Sequence, residues 1–252
     1  MITTSRGFFG LPPVVKNLIL INIFMSLADL TAQRAFNIRL SEYLGLHFPE
    51  SELFRPIQIL SHMFMHASLA VPGGFTHLLF NMFALFMFGR VLEMVWGSKR
   101  FLLYYLITGL GAALIHEAVI AVNYYKLMAV ITPAELQAVL DYGAELPSAN
   151  INFTRSMGEL YLILYTPTVG ASGAVFGLLL AFGVLFPNTE LMLLFPPIPI
   201  KAKYFVLAYG AIELYLAIKQ PGDSVAHAAH LGGMLFGYIL LRYWRKTTNT
   251  LY

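Results

Sequence analysis

A six-helix all-α membrane bundle is the fold class this sequence predicts, and three observations predict it. Hydrophobic residues make up 58% of the 252 and charged residues only 12%, about half the charge of a soluble domain, so lipid rather than water should surround most of the surface. Six apolar runs, at about 14–31, 76–95, 101–123, 171–186, 203–218 and 225–244, approach the roughly 20 residues that cross ~30 Å of hydrocarbon. Serine, histidine and asparagine recur inside three of those runs, where polar groups are expensive and face the bundle interior. With no internal repeat, residues 1–252 read as a single membrane domain with long outside connections after helices one and three.

The first run, from Val14, follows a short leader with only Arg6 and ends without a small-residue cleavage site. It reads as a retained span rather than a signal peptide. Residues 32–75 then scatter Leu40, Tyr43, Leu44, Leu46, Phe48, Leu53 and Phe54 among polar residues, an amphipathic connection. In the second long connection, 124–170, Thr132-Pro133-Ala134-Glu135 is a capping box with proline at the first helical position, which predicts a surface helix over 133–142. The fourth and fifth spans are short, and Pro187 bounds the fourth. With the N-terminus inside, ten of the sixteen Lys and Arg fall on the inner side, so both termini are expected to be cytoplasmic. A net charge of +3 without a basic block gives no sign of nucleic acid, and the absence of cysteine excludes disulfides, thiol chemistry and Cys-ligated zinc.

The polar residues are arranged in order. His77 and Asn81 form an i,i+4 pair opening the second span, Gly170-Ala171-Ser172-Gly173 opens the fourth, and His227 and His230 open the sixth. All three spans enter the membrane from the same side, so Ser172, His230 and Asn81 are expected in one layer, about 7–8 Å deep for His230. Gly173 and Gly177 on span four, with Ala229, Gly233 and Gly237 on span six, have the small-xxx-small spacing that lets helices approach closely in lipid.

That layer suits nucleophilic catalysis. Serine needs a base to take its proton, and His230 on a neighbouring helix is the candidate. The backbone N–H of Ser172 with the His77 and Asn81 side chains offers donors for an oxyanion. Glu213, in mid-span five, reads as an isolated buried acid, either a packing partner or part of a gate, so the expectation is a Ser-His dyad without a third member. His227 falls near the site but out of register with Gly233 and Gly237. His116-Glu117 lacks the second histidine of a zinc-protease helix, and no pair of intramembrane aspartates exists. His62, His66 and His77 are an alternative metal set, but without a carboxylate or thiol the first two read as structural histidines shaping the approach to span two. No metal and no cofactor is expected.

Taken together, His62-Met-Phe-Met-His66, His77-Leu-Leu-Phe-Asn81, Gly170-Ala-Ser172-Gly and Ala229-His230-Leu-Gly-Gly233, with Phe54-Arg55-Pro56 and the Glu93 to Gly97 stretch, resemble the rhomboid family of intramembrane serine proteases. The resemblance implies a six-span core and an endopeptidase using Ser172 as nucleophile and His230 as base through an acyl-enzyme. His77 and Asn81 would serve the oxyanion hole, and Gly170, Gly173, Gly233 and Gly237 would support the site. It further implies transmembrane protein substrates within a lipid bilayer, cleaved near the outer face, and span five with its following loop, about 203–224, as a gate. A bacterial inner membrane is the expected location; the sequence sets no oligomeric state. Two departures stand out: Ile57 where the family carries Trp, and the added Val71-Pro72-Gly73-Gly74-Phe75 approach to His77. Two rival classes remain, a substrate-binding pseudoprotease on the same fold and a small transporter. The first would lack Ser or His, and the second would show repeats or broken midplane helices.

Overall fold

The computed structural model describes residues 10–143, 154–192, 197–219 and 226–248. Parts of two expectations lie outside them: residues 144–153 of the second long connection, and residues 220–225 of the gate loop and the start of span six.

Every apolar run is helical. α1 is Pro13–Phe36, with proline in its first turn and Asn37 in the left-handed conformation at its C-terminal cap. The second span is made of α4 (Gly74–Ala84), a π-helical turn (Leu85–Gly89) and α5 (Arg90–Trp96). α6 is Ser98–Met128, α9 is Ser172–Leu185, α10 is Ala202–Lys219 and α11 is His227–Thr248. α1, the second span and α6 are long and apolar enough to cross a membrane, whereas the apolar α9 is shorter. The molecule is an all-α membrane protein.

The burial pattern of α1 carries that conclusion. Asn22, Ser26 and Asp29 face inward, while Leu20, Phe24 and Leu27 face out, the reverse of a helix on a soluble protein. Asn22 donates to the Leu18 carbonyl, Ser26 donates to that of Asn22, and Asp29 accepts the backbone N–H of Ser41. At the opposite end Glu93 of α5 accepts the Val14 and Val15 N–H groups at 2.9 and 2.7 Å, satisfying donors that the first turn of α1 leaves open.

The first connection holds α2 (Leu40–Leu44), α3 (Gln58–Ser61) and a 3₁₀ turn (His62–Phe64). Buried Gln58 organises it, its amide bonding backbone groups of His47, Arg55, Tyr43 and Leu53. In the second connection α7 is Pro133–Tyr142, and both halves of its capping box form. A further helix, α8 (Arg155–Tyr165), is one that the sequence reading did not expect. Thr154 caps it, and Met157, Leu160 and Leu164 on one face join Phe48, Leu127 and Val139 in a small core beside α6. Glu135 links the two helices, accepting from Thr132 of its own cap and, at 2.6 Å, from the Thr154 hydroxyl. Between α9 and α10 a two-stranded hairpin pairs β1 (Glu190–Met192) with β2 (Pro199–Lys201) antiparallel, Glu190 opposite Lys201.

α11 packs chiefly on α6 and α9, and these three helices form the centre. Contact between α9 and α11 is backbone to backbone: a Cβ at Gly233 would collide with the Gly173 carbonyl oxygen, and one at Gly237 would stand 3.4 Å from Gly177 Cα. The stripes read from spacing therefore interlock. Tyr104 of α6 closes the far end, donating its hydroxyl to the Gly177 carbonyl at 2.9 Å and packing its ring at a tilt against Trp96 and Trp244.

Gly233→Val is expected to push α11 off α9 and to lower stability by about 1–3 kcal/mol or more, as overpacked cores do. A fall in the thermal midpoint of the detergent-solubilised protein checks this. The hydrogen bonds from Thr154 first, then from Thr132, hold the Glu135 carboxyl below its ordinary range. A depressed carboxylate stabilises above its ordinary pKa and loses that contribution as pH falls through the lowered value. Amide protection factors at the first turn of α7, which correct for the slower intrinsic exchange in acid, should thus fall on acidification, and Glu135→Gln should lower them already at neutral pH.

Candidate active site

Ser172 opens α9, and the chain before it is pinned from three sides. Leu46 and Thr168 exchange backbone hydrogen bonds at 2.9 and 2.7 Å, tying the first connection to this loop. His116 of α6 bonds the Thr168 hydroxyl at 3.0 Å through Nε2. Gly170 donates its N–H to the His62 carbonyl at 3.0 Å, while His62 Nδ1 holds the Gln58 carbonyl. His62 is thus a structural histidine that fixes the backbone two residues before Ser172. Gly170 sits at φ 130°, a conformation open to glycine, and the place a Cβ would occupy lies 3.2 Å from His77 Nε2 and 3.6 Å from Ser172 Oγ. The absent side chain leaves the His77 ring and the serine hydroxyl facing one small space.

His77 stands in the first turn of α4, and its Nδ1 accepts the Ala67 N–H at 3.3 Å. An accepting Nδ1 belongs to the neutral ring carrying its hydrogen on Nε2, so the His77 donor is the nitrogen on the Gly170 side. Burial first, and His77 second, bring the neighbouring His66 down to about 3, so no cation stands beside this ring from that direction. Asn81, one turn on and buried, spends one amide hydrogen on the His77 carbonyl at 2.9 Å and keeps the other. The His77 Nε2 side thus faces the same small space as Ser172, at the N-terminal, positive end of α9.

His230 lies in the first turn of α11. Its ring stacks flat on Phe176, one helical turn along α9 from Ser172, with centroids 4.1 Å apart and planes within 8°. Its Nδ1 is 2.9 Å from Glu213 Oε2 of α10, and His227 Nδ1 lies 2.7 Å from the same oxygen. All three residues are buried. His230 Nδ1 thus bonds Glu213, and the acid on span five, expected to be isolated, has two histidine partners. Resting catalytic pairs often tighten only when substrate binds. A cavity of about 20 Å³, lined by His62, Thr168, Gly170, Ser172, Gly173 and Ala229, has room for one water beside the serine.

Ser172 and His77 face one small space, Asn81 lies one turn along α4 from His77, and His230 lies on the helix that touches α9. Gly173 and Gly233 make the α9–α11 contact, Gly237 extends it, and Gly170 opens the corner. Sequence reasoning passed over Phe176, although its i+4 spacing from Ser172 was a usable signal. Among the described residues the compact set of metal-type ligands is Glu213, His227 and His230, not His62, His66 and His77.

These features define a helical membrane protein with a layer of Ser and His side chains, buried to half-buried, at one end of its bundle. A family model described as the Rhomboid domain matches residues 52–246. The chain belongs to the rhomboid family. Among similar curated proteins, the mitochondrial rhomboid protein 1 of Saccharomyces cerevisiae is 28% identical over 193 residues, 77% of this chain and 43% of that protein. Rhomboid protease AarA of Providencia stuartii is 28% identical over 195 residues, 72% of this chain and 58% of the relative. The mitochondrial presenilin-associated rhomboid-like protein of Homo sapiens is 32% identical over 97 residues, 36% and 24% of the respective chains. The chain thus spans less than two thirds of each of these relatives.

Gly170→Ala is expected to cost about 1–2 kcal/mol, since an L residue resists this φ and its Cβ would press the His77 ring. Thermal unfolding in detergent, compared with Gly158→Ala, where a Cβ meets open space, measures it.

Proposed function

We propose that this protein is an intramembrane serine endopeptidase that cleaves transmembrane segments of membrane proteins, with Ser172 as nucleophile and His230 as general base. The observation that carries the reading is the convergence of Ser172 Oγ and the His77 Nε2 side of the ring on the space above Gly170, beside a helix contact that brings His230 alongside. Membership of the rhomboid family supports it, as does the likeness to a relative named as a protease.

In this reading Ser172 Oγ attacks the scissile carbonyl carbon while its proton passes to His230 Nε2. The oxyanion meets the Ser172 N–H, His77 Nε2–H and the remaining Asn81 amide hydrogen, three donors in a site sparing in water. Collapse breaks the C–N bond, and His230 returns the proton to the leaving amine, giving the acyl-enzyme. A water deprotonated by His230 then attacks the ester, releases the acid and restores Ser172. The cavity beside Ser172 is sized for that water. No step calls for a metal or cofactor.

Six membrane crossings in a single domain, both termini cytoplasmic, a bacterial inner membrane and cleavage near the outer face complete the proposal. The count of Lys and Arg supports the orientation, and reporter fusions at the C-terminus test it.

Fluorophosphonate labelling of the solubilised protein is expected to require both Ser172 and His230, with Ser172→Ala and His230→Ala abolishing labelling and cleavage of a transmembrane substrate while remaining folded. Asn81→Ala should lower the cleavage rate about 10–10³-fold, the loss of one oxyanion donor. A folded wild type that neither labels nor cleaves would turn the reading to a substrate-binding pseudoprotease.

A further inference from the structure

Glu213 is the one acid buried in α10, whose only other buried residues are Ala202 and Val206. It lies 6% exposed, and one of its oxygens, Oε2, serves two imidazoles, His227 Nδ1 at 2.7 Å and His230 Nδ1 at 2.9 Å. A buried carboxylate is costly unless its acceptor sites are filled by good donors. An ionised carboxylate has no hydrogen to give, so both rings meet it as Nδ1–H donors. For His230 that choice leaves the lone pair on Nε2, the form a general base needs.

Stacking on Phe176 does not make this choice. A flat stack fixes the plane of the His230 ring but is equally satisfied when the ring turns over by a half rotation, which exchanges its nitrogen side with its carbon side. The carboxylate distinguishes the two, because only one presents Nδ1–H to Oε2. Phe176 and Glu213 therefore restrain different degrees of freedom of the same side chain. We propose that Glu213 is a positioning residue for His230, holding its Nδ1–H tautomer and ring orientation from α10, so that Ser172, His230 and Glu213 act in line while His227 steadies the carboxylate. The inference rests on the protease reading. In the reaction Glu213 keeps its charge and its hydrogen bonds throughout; the moving proton is the one that passes from Ser172 Oγ to His230 Nε2 and on to the leaving amine.

The test uses the full chain in proteoliposomes with a transmembrane substrate, comparing wild type with Glu213→Ala, Glu213→Gln and Glu213→Asp. Cleavage kinetics, fluorophosphonate labelling rate and thermal midpoint are read for each. Glu213→Ala should lower kcat about 10²–10³-fold with KM changed less than about threefold, as expected when an orienting acid is removed from a serine–histidine pair. Added formate should restore part of that loss in Glu213→Ala and none in His230→Ala, a recovery that a purely structural role would not give. Glu213→Asp should retain more activity than Glu213→Gln, which keeps the shape but can offer His230 Nδ1 a donor in place of an acceptor. Gln is also the variant that carries the test should the alanine protein fail to fold.

Unchanged kcat in folded Glu213→Ala, beside an active wild type, overturns this inference alone. Activity that falls only in step with the thermal midpoint, without formate rescue, makes Glu213 a structural anchor and overturns it as well. Wild-type activity that responds to dipicolinate or zinc, with the response lost in His227→Asn, assigns the cluster to a metal and likewise overturns it. A folded wild type that neither labels nor cleaves fails at the protease reading instead.

Discussion

The backbone contact of α9 with α11 is the constraint on which the rest of the structure depends. Ser172 and His230 are contributed by helices far apart in sequence, and only a touching pair of backbones brings residues at their first turns alongside one another. Gly173 and Gly233 make that approach possible because neither carries a Cβ, and Gly177 and Gly237 repeat the arrangement further along. In lipid such contact has no hydrophobic driving force, so van der Waals packing and hydrogen bonds must hold it. Tyr104 contributes by donating to the Gly177 carbonyl from α6, and α6 seals both helices from behind.

With that pair in place, the surrounding elements act as a frame for one loop. Residues 168–170 are held by Leu46, His116 and His62, contributed by the first connection, α6 and the 3₁₀ turn. Each anchor is a hydrogen bond from a buried or half-buried group, and strand-like pairing of Leu46 with Thr168 stiffens the loop without a sheet. The small core beneath α7 and α8 then covers the end of α6 that carries His116.

Much of this was legible in the sequence because its causes are local. Apolar runs, the Thr132 to Glu135 capping box and the glycine stripes are each read from neighbours a few positions apart, and each recurs in the structure as helix, cap and contact. The candidate residues Ser172, His77, Asn81 and His230 could be named because three spans enter from one side, which aligns their depths. α8 was missed although Thr154 and the Met157, Leu160, Leu164 face carry an ordinary helix signal, since the long polar connection masked it. The π-turn at Leu85–Gly89 carries no composition of its own. Glu213 was read as isolated for a different reason: which face of α10 meets α11 depends on the rotation of two whole helices, and no spacing within either segment encodes that.

The placement of Glu213 also bears on how α10 is held. Near its start, Ala202 and Val206 pack against the position a side chain at Gly183 would fill, a close apolar contact. Toward the site end, Leu207, Ile212, Leu214, Tyr215 and Ile218 all face outward, and what ties the helix inward is Tyr209 against Phe176, Met234 against Gly210, and the Glu213 carboxylate. Its start is thus held by apolar packing and its site end by two ring or thioether contacts and one buried carboxylate. The carboxylate that ties this end inward is the one bonded to the His230 ring. Outward movement of this end would lengthen the Glu213–His230 hydrogen bond, so the position of α10 and the orientation of the His230 ring are linked through one carboxylate.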